Sequence, residues 1–176
     1  SAEQYLTQTV DFKDRQTSNN DYYPSPIIRK KIDTSNGLIF FSEPLKEDMI
    51  INGAFTGEIV ASINRRDMDF GITLYELNSK GEYFHLSYVI DRASFSKDRS
   101  QRHLLEPHEM TRLTLPSTRM VSKQLKKGSR IVAYLNINKN AFAQLNYGSG
   151  KDVSDETLLD ANEKLIVKWY AQSVIR

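Results

Sequence analysis

Hydrophobic and polar residues alternate over three consecutive segments near the middle of the chain, at residues 53–64, 69–77 and 83–90. A period of two is typical of a β-strand with one buried face. Residues 78–81 (Asn-Ser-Lys-Gly) lie between the second and third segments and predict a hairpin connection. We therefore predict that these three strands form the middle of one antiparallel sheet. His85 alternates opposite the apolar face of its strand, so we expect its side chain to be exposed.

Shorter apolar or alternating segments predict the other strands: 38–41, 49–51, 111–115, 120–125, 131–138 and 165–175. Residues 92–108 are strongly polar and predict a long loop with one helical turn. Residues 155–164 predict a helix of about two turns. Many short strands with turns at roughly 8 to 12 residue intervals indicate an all-β sandwich or barrel.

The first 37 residues are polar and contain loop-forming sequence and two prolines. Each proline restricts the residue before it to extended conformations. We therefore predict an irregular arm or linker from a preceding domain at residues 1–37 and a β-sandwich domain at 38–176. The last residues look like the inside of a strand, so we expect the chain to be a piece of a longer protein.

Composition narrows the function classes. Hydrophobic residues make up 39% of the chain and charged residues 26%, which is typical of globular proteins. No apolar run of about 18 residues occurs, so no membrane span is predicted. Basic and acidic residues nearly balance, with a net charge of +2, which gives no reason to predict a nucleic-acid partner. Cysteine is absent, so disulfides and thiolate ligands are excluded, but a cytoplasmic, periplasmic or secreted location stays open.

The usual catalytic motifs are missing. The string Gly148-Ser149-Gly150 lacks the spacing of a nucleophile elbow, and the residues around Lys151 fail the phosphate-loop pattern at two positions. Four imidazole and carboxylate residues lie at positions 103–109, but Pro107 prevents a regular helix from placing them on one face. We predict no catalytic residue and no cofactor.

Two aspartates precede the predicted strand at 69–77. Asp67 and Asp69 are two residues apart, as in calcium loops, but the next alternate position is Gly71, which has no side-chain oxygen. In the structural alternative, one carboxylate accepts backbone N–H groups or pairs with an arginine such as Arg92. The sequence leaves both alternatives open and favours the structural one.

Six short motifs occur in a fixed order between residues 38 and 138. They are Ser42-Glu43-Pro44-Leu45, Ile51-Asn52-Gly53, Asp67-Met68-Asp69-Phe70, Ile90-Asp91-Arg92-Ala93, Leu105-Glu106-Pro107-His108-Glu109 and Lys127-Gly128-Ser129-Arg130-Ile131. Each motif is weak by itself, but six in one register are more specific. In their order and spacing the chain resembles the C-terminal non-catalytic domain of X-Pro dipeptidyl-peptidases and cocaine-esterase-like acyl hydrolases.

That resemblance implies a jelly-roll β-sandwich of the galactose-binding-domain-like type. It also implies an attached α/β-hydrolase domain that supplies the catalytic serine, aspartate and histidine. Asp69, Arg92 and Gly128 match recurring family positions, which implies structural roles for them. Ser129 stands where the family has histidine, and Asp91 where it often has glycine, so the subfamily and the parent's substrate stay open.

From the resemblance we expect a domain that is catalytically inert alone and belongs to a serine hydrolase. It would pack on the α/β-hydrolase domain of the same parent chain and shape the active-site entrance or an oligomer contact, including a homo-oligomer. The predicted contact residues are Tyr22 and Tyr23 of the arm and Phe95 and His103 of the long loop. The alternative is a carbohydrate-binding module, which has the same fold; an independent enzyme has the least support.

Overall fold

The regular secondary structure of the described residues is almost entirely β-strand. The computed structural model describes residues 4–17, 22–140 and 142–176. Its strands are β1 Tyr5–Val10, β2 Ile28–Arg29, β3 Gly37–Phe41, β4 Met49–Gly53, β5 Gly57–Ile63, β6 Asp69–Leu77, β7 Tyr83–Arg92, β8 Thr111–Leu115, β9 Val121–Leu125, β10 Arg130–Ile137, β11 Leu165–Tyr170 and β12 Val174–Ile175. Short 3₁₀ helices span Ala93–Phe95 and Val153–Asp155. Within the described ranges no helix is long and apolar enough to cross a membrane.

Two antiparallel sheets form the body of the protein. In the first sheet, β5 lies between β8 on one side and β11 and β12 on the other, and β1 pairs with the outer side of β11. The second sheet has the order β2-β7-β6-β10-β3, and β4 pairs with β9 in a separate ribbon. Phe70 of the second sheet meets Trp169 of the first with ring centroids 6.2 Å apart. The prediction of an all-β sandwich is confirmed.

The two sheets enclose one large apolar core. Its inward-facing residues alternate along the strands of both sheets, as a half-buried pleated surface requires. Among them are Ile59, Ala61, Ile63, Leu113, Leu165 and Val167 from the first sheet and Phe70, Ile72, Leu74, Leu135 and Ile137 from the second. The alternation in the sequence therefore identified the inward faces of β5, β6 and β10 correctly.

A second apolar cluster covers the outer face of the β6 and β10 sheet. It consists of Ile32, Tyr75, Val132 and Tyr134. Tyr22 also lies on this face, where Gly71 leaves room for its ring, because a side chain at that glycine would collide with it. Both faces of this sheet are thus buried, although a simple alternating pattern predicts one exposed face.

The prediction that the three central strands lie in one sheet is wrong for the first of them. The hairpin at 78–81 does join β6 to β7, which pair from Asp69 to Leu77. However, β5 belongs to the opposite sheet, where it pairs with β8, β11 and β12. The connection at residues 64–68 crosses from one sheet to the other, which period-two patterning cannot distinguish from a hairpin.

Because of a β-bulge, the observed inward and outward faces of β7 differ from those predicted by strict alternation. Its register with β6 shifts beside Leu74, so the residues beyond the bulge change sides. Val89 faces the core, whereas Ile90 is 38% exposed. His85 is buried against the rings of Tyr75 and Tyr88, so the prediction that it is exposed is wrong.

Three local predictions also fail. Residues 1–37 are not irregular throughout, because β1 pairs with β11 along its whole length. Residues 155–164 form turns instead of a helix. Residues 165–175 do not make one strand, because a turn at 171–173 separates β11 from β12. The proposed boundary with a preceding domain stays a prediction.

Candidate functional site

Long loops gather at one end of the sandwich. Because the strands are antiparallel, the segments that follow β5, β7 and β10 all leave the sheets at the same end. We call residues 64–68, 93–110 and the described part of 138–164, which omits 141, the loop platform. Backbone hydrogen bonds join its parts: Leu105 donates to the carbonyl of Arg66 over 2.8 Å, and Arg66 donates to the carbonyl of Gly148 over 3.0 Å.

Asp67 is the central carboxylate of the loop platform and is fully buried. One oxygen, Oδ1, accepts the backbone N–H of Met68 at 2.9 Å and of Ser94 at 3.0 Å. The other oxygen accepts the Ser94 hydroxyl at 2.8 Å and Nη2 of Arg102 at 2.9 Å. Buried carboxylates are stable only when they are paired and hydrogen-bonded in this way. Asp67 therefore fixes the second platform segment to the first.

Asp69 fixes the third segment. It pairs with Arg92 through Nε at 2.8 Å and Nη2 at 3.0 Å, a bidentate contact across β6 and β7. The hydrogen bond to the Asp69 carboxylate raises the pKa of the Arg92 guanidinium. Asn146 donates to the same carboxylate oxygen at 2.9 Å. The pairing of Asp69 with Arg92 that the structural alternative described is present.

This geometry leaves little capacity for calcium at the two aspartates. Every oxygen of Asp67 and Asp69 accepts at least one hydrogen bond, and each carboxylate contacts a guanidinium. A calcium ion requires six to eight oxygen ligands. Across the ranges that the structure describes, no group of three or more His, Cys, Asp or Glu side chains has the arrangement of a metal site.

Glu156 holds the third segment of the loop platform through hydrogen bonds within that segment. Its side chain accepts the backbone N–H of Tyr147 at 2.7 Å and of Ser149 at 2.8 Å, together with the Ser149 hydroxyl at 2.6 Å. Between them, Gly148 has a φ of +79° and lies so close to the Asp67 carbonyl that a side chain would collide with it. The glycine and the buried glutamate hold this loop in one conformation.

A tight turn at residues 157–160 presents apolar side chains to solvent. Asp160 accepts the backbone N–H of Thr157 at 2.9 Å and the Lys151 ammonium at 2.6 Å. The Asp160 carbonyl also accepts Nη2 of the buried Arg65 at 2.6 Å. Between the anchored ends, Leu158 is 54% exposed and Leu159 is 86% exposed. The turn is hydrogen-bonded at both ends, and more than half of the surface of each leucine is exposed.

The predicted contact residues do not come together. Tyr22 is fully buried and donates to Asn136 at 2.7 Å, so the prediction that it contacts another domain is wrong. Tyr23 is exposed and packs beside Tyr88. Phe95 is half-buried in the loop platform and His103 is exposed there.

Gly128 lies at the opposite end of the sandwich in a turn before β10. Its φ is +86°, in the left-handed region that favours glycine. The next residue, Ser129, is buried and donates to the carboxylate of Glu76 at 2.8 Å. The implied structural role of Gly128 fits this turn.

Sequence reasoning missed the four partners that complete the network: Ser94, Arg102, Asn146 and Glu156. The first three bond Asp67 or Asp69 from up to 77 residues away, whereas Glu156 bonds Tyr147 and Ser149 in its own loop. No local pattern links these residues. The only available signal was the density of polar and small residues in two long loops, which is also typical of solvated loops.

The family profile described as the X-Pro dipeptidyl-peptidase C-terminal non-catalytic domain matches residues 1–134. The chain belongs to this family. The match includes β1 and the buried core residues before β3, so it extends well into the region that was predicted to be an arm. No curated protein matches the sequence.

Solved structures with the same fold are hydrolases of greater length. An aminopeptidase from a marine sediment Thaumarchaeota archaeon aligns with a TM-score of 0.81 and 16% identity, over 99% of this chain and 33% of its own. An α-amino acid ester hydrolase aligns with a TM-score of 0.76 and 16% identity, over 99% of this chain and 32% of its own. A CocE/NonD family hydrolase from Staphylococcus aureus aligns with a TM-score of 0.60 and 13% identity, over 98% of this chain and 32% of its own. This X-Pro dipeptidyl-peptidase C-terminal domain thus spans about a third of the length of the structures it matches.

Proposed function

We propose that the chain is the C-terminal module of a serine hydrolase of the dipeptidyl-peptidase or acyl-esterase type. In this proposal its loop platform docks on the α/β-hydrolase domain and shapes the active-site entrance. Support comes from the family match and from the length of the similar hydrolases, of which this fold is one part. The module supplies no catalytic group.

One observation carries the choice of the loop platform as the docking surface. Leu158 and Leu159 are exposed on a turn that hydrogen bonds of Asp160 with Lys151 and Arg65 hold in place. Burying a leucine side chain contributes about 2 kcal/mol, and a backbone turn that is already hydrogen-bonded loses little conformational entropy on binding. Adjacent exposed apolar side chains on one turn form a candidate protein-contact surface.

Two further exposed side chains of the loop platform extend this proposed contact surface. His103 is exposed on the same platform, and Phe142 is 85% exposed in its third segment. We include His103 and Phe95 in the proposed contact. Tyr23 lies against β7 outside the loop platform, and we retain it only as a contact of a homo-oligomer.

The test is the double substitution L158D/L159D in the full parent protein. We expect the two domains to unfold in separate thermal transitions and the activity to fall at least about tenfold, because two carboxylates would be buried at the contact. In the isolated chain the same substitutions should leave the melting temperature nearly unchanged, since both side chains are exposed there.

The matched control is Ile50→Asp, which changes a residue that is 73% exposed in β4, outside the loop platform. It should leave both unfolding and activity of the parent intact. If the control and the double variant behave alike in the parent, the loop platform is not the docking surface.

The carbohydrate-binding alternative gains no support from the family match or from the similar structures. A thermal-shift screen of the chain against sugars, with and without calcium, tests it directly, because a ligand that binds only the folded state raises the melting temperature. We expect no shift.

A further inference from the structure

An apolar cleft opens into the sandwich away from the loop platform. Its volume is about 540 Å³, within the range of roughly 300 to 1,000 Å³ that is usual for binding pockets. Buried residues of both sheets form its floor, among them Ile72, Leu135 and Trp169. Leu6 and Phe40 form its walls. The cleft is therefore a gap between the two sheets that reaches the main core.

The register of the strands shows why the gap is present. Leu6 pairs with Trp169 and Phe40 pairs with Ala133, so both side chains point inward between the sheets. An inward-facing residue of a closed sandwich is buried, yet Leu6 is 50% exposed and Phe40 is 43% exposed. The sheets are thus not closed over each other along this edge.

An open strand edge borders the same cleft. β8 occupies one side of β5 from Gly57 to Ala61, so β12 lies on the other side, in line with β11. β1 pairs only with β11, and within the described ranges no strand pairs with the outer side of β12. The edge of β12 therefore faces outward beside the cleft.

The hydrogen-bond pattern identifies the free backbone groups on this edge. Arg176 and Thr56 exchange both backbone hydrogen bonds, at 2.8 and 2.9 Å. In an antiparallel ladder, bonded and non-bonded pairs alternate. Ile175, opposite Gly57, is consequently in a non-bonded pair, and its N–H and C=O point away from β5 toward the open edge.

We propose that an extended apolar segment of the parent's hydrolase domain adds to the edge of β12 and places alternate side chains in the cleft. The free groups of Ile175 would bond its backbone, and the gap between the sheets would take its apolar side chains, which is the arrangement of β-strand addition. A carboxylate or sugar is disfavoured because apolar and aromatic side chains dominate the lining. The source of the segment rests on the proposed function, but the cleft and the loop platform are separate surfaces.

The first test uses the only tryptophan, Trp169, which lines the cleft. The probe is a blocked hexapeptide of alternating threonine and leucine. We expect a saturable change in Trp169 fluorescence. A control peptide with serine in place of leucine, and one with N-methylated leucines that blocks strand pairing, should each bind at least about tenfold more weakly, because each removes one half of the recognition.

Adjacent residues of β3 give a matched pair of variants. Phe40 lines the cleft, whereas Phe41 points to the other face and is 48% exposed. F40E should abolish peptide binding and F41E should retain it, with similar melting temperatures for both. Equal binding by both variants, or no binding of the alternating peptide by the unsubstituted chain, overturns the proposal.

Hydrogen exchange in the full parent separates this inference from the proposed function. We expect the Ile175 amide to exchange at least about tenfold more slowly in the parent than in the isolated chain, because pairing protects an edge amide. Protection at residues 157–160 without protection at Ile175 overturns the cleft proposal and leaves the docking surface in place. Protection at Ile175 without protection at residues 157–160 supports the cleft proposal and overturns the docking surface. Protection of Ile175 that rises with the concentration of the isolated chain identifies a second copy as the occupant and also overturns the proposal.

Discussion

Asp67 shows how a single buried charge can decide the conformation of two loops. It is fully buried, and its hydrogen bonds come from a backbone N–H in its own segment and from Ser94 and Arg102 in the next. Asp69 and Arg92 make the corresponding contact at the ends of β6 and β7. Each of these side chains bonds a partner within the domain, which fits the predicted structural roles of Asp69 and Arg92.

We predict that Asp67→Asn lowers the free energy of unfolding by roughly 2 to 4 kcal/mol, because the substitution leaves the Arg102 guanidinium without its buried counter-charge. Urea unfolding followed by circular dichroism measures this change. Glu106→Gln is the control, since this side chain is exposed in the same loop, and it should cost less than about 0.5 kcal/mol. A similar effect of both substitutions would mean that the network adds little to stability.

At the scale of elements, turns and bulges position the surfaces that matter. The bulge in β7 turns Val89 into the core. The turn at 157–160 holds Leu158 and Leu159 outward because Asp160 bonds both Thr157 and Lys151.

The turn should respond to acid. The hydrogen bond from Lys151, followed by that from the Thr157 N–H, holds the pKa of Asp160 below its ordinary value of 3.8. A carboxylate with a lowered pKa in the folded state stabilises the fold above its ordinary pKa, and this contribution is lost as the pH falls through the folded value. The stability difference between the unsubstituted chain and Asp160→Asn should therefore be constant from pH 7 to about pH 5 and shrink below 3.8. Urea midpoints at several pH values test this, and a difference that grows in acid would contradict it.

At the scale of the whole molecule, the N-terminal residues are part of the sandwich. β1 forms an edge of the first sheet, and Phe12 and Tyr22 are buried. The buried Lys139 donates to the carbonyls of Asp11 at 3.0 Å and Asp14 at 2.8 Å. The first 37 residues therefore contribute a strand, core side chains and polar contacts to the domain.

We predict that a chain of residues 38–176 does not fold cooperatively, because it exposes the edge of β11 and opens the core around Phe12 and Tyr22. Urea unfolding and near-ultraviolet circular dichroism of the truncated and full chains measure the difference. A chain that lacks only residues 1–3 is the control and should unfold like the full one. Cooperative unfolding of 38–176 with similar stability would instead support the prediction of a separate arm at residues 1–37.

The sequence by itself determined most of the strands, the inward faces of β5, β6 and β10, and the family. Period-two alternation depends only on neighbours along the chain, so it located β6 from Asp69 to Leu77 and β8 from Thr111 to Leu115 at their observed bounds. The six motifs identified the family because their order and spacing are also properties of the sequence alone. Alternation cannot encode which strand pairs with which, so tertiary structure alone decided that β5 and β6 lie in opposite sheets.

The tertiary structure also decided the surfaces that can bind. The carboxylates of Asp67 and Asp69 find partners far along the chain, and burial of Tyr22 depends on the space above Gly71. The cleft exists because two sheet edges fail to close over Leu6 and Phe40. Such long-range packing is set by how the sheets meet, and no local pattern of residues contains that information.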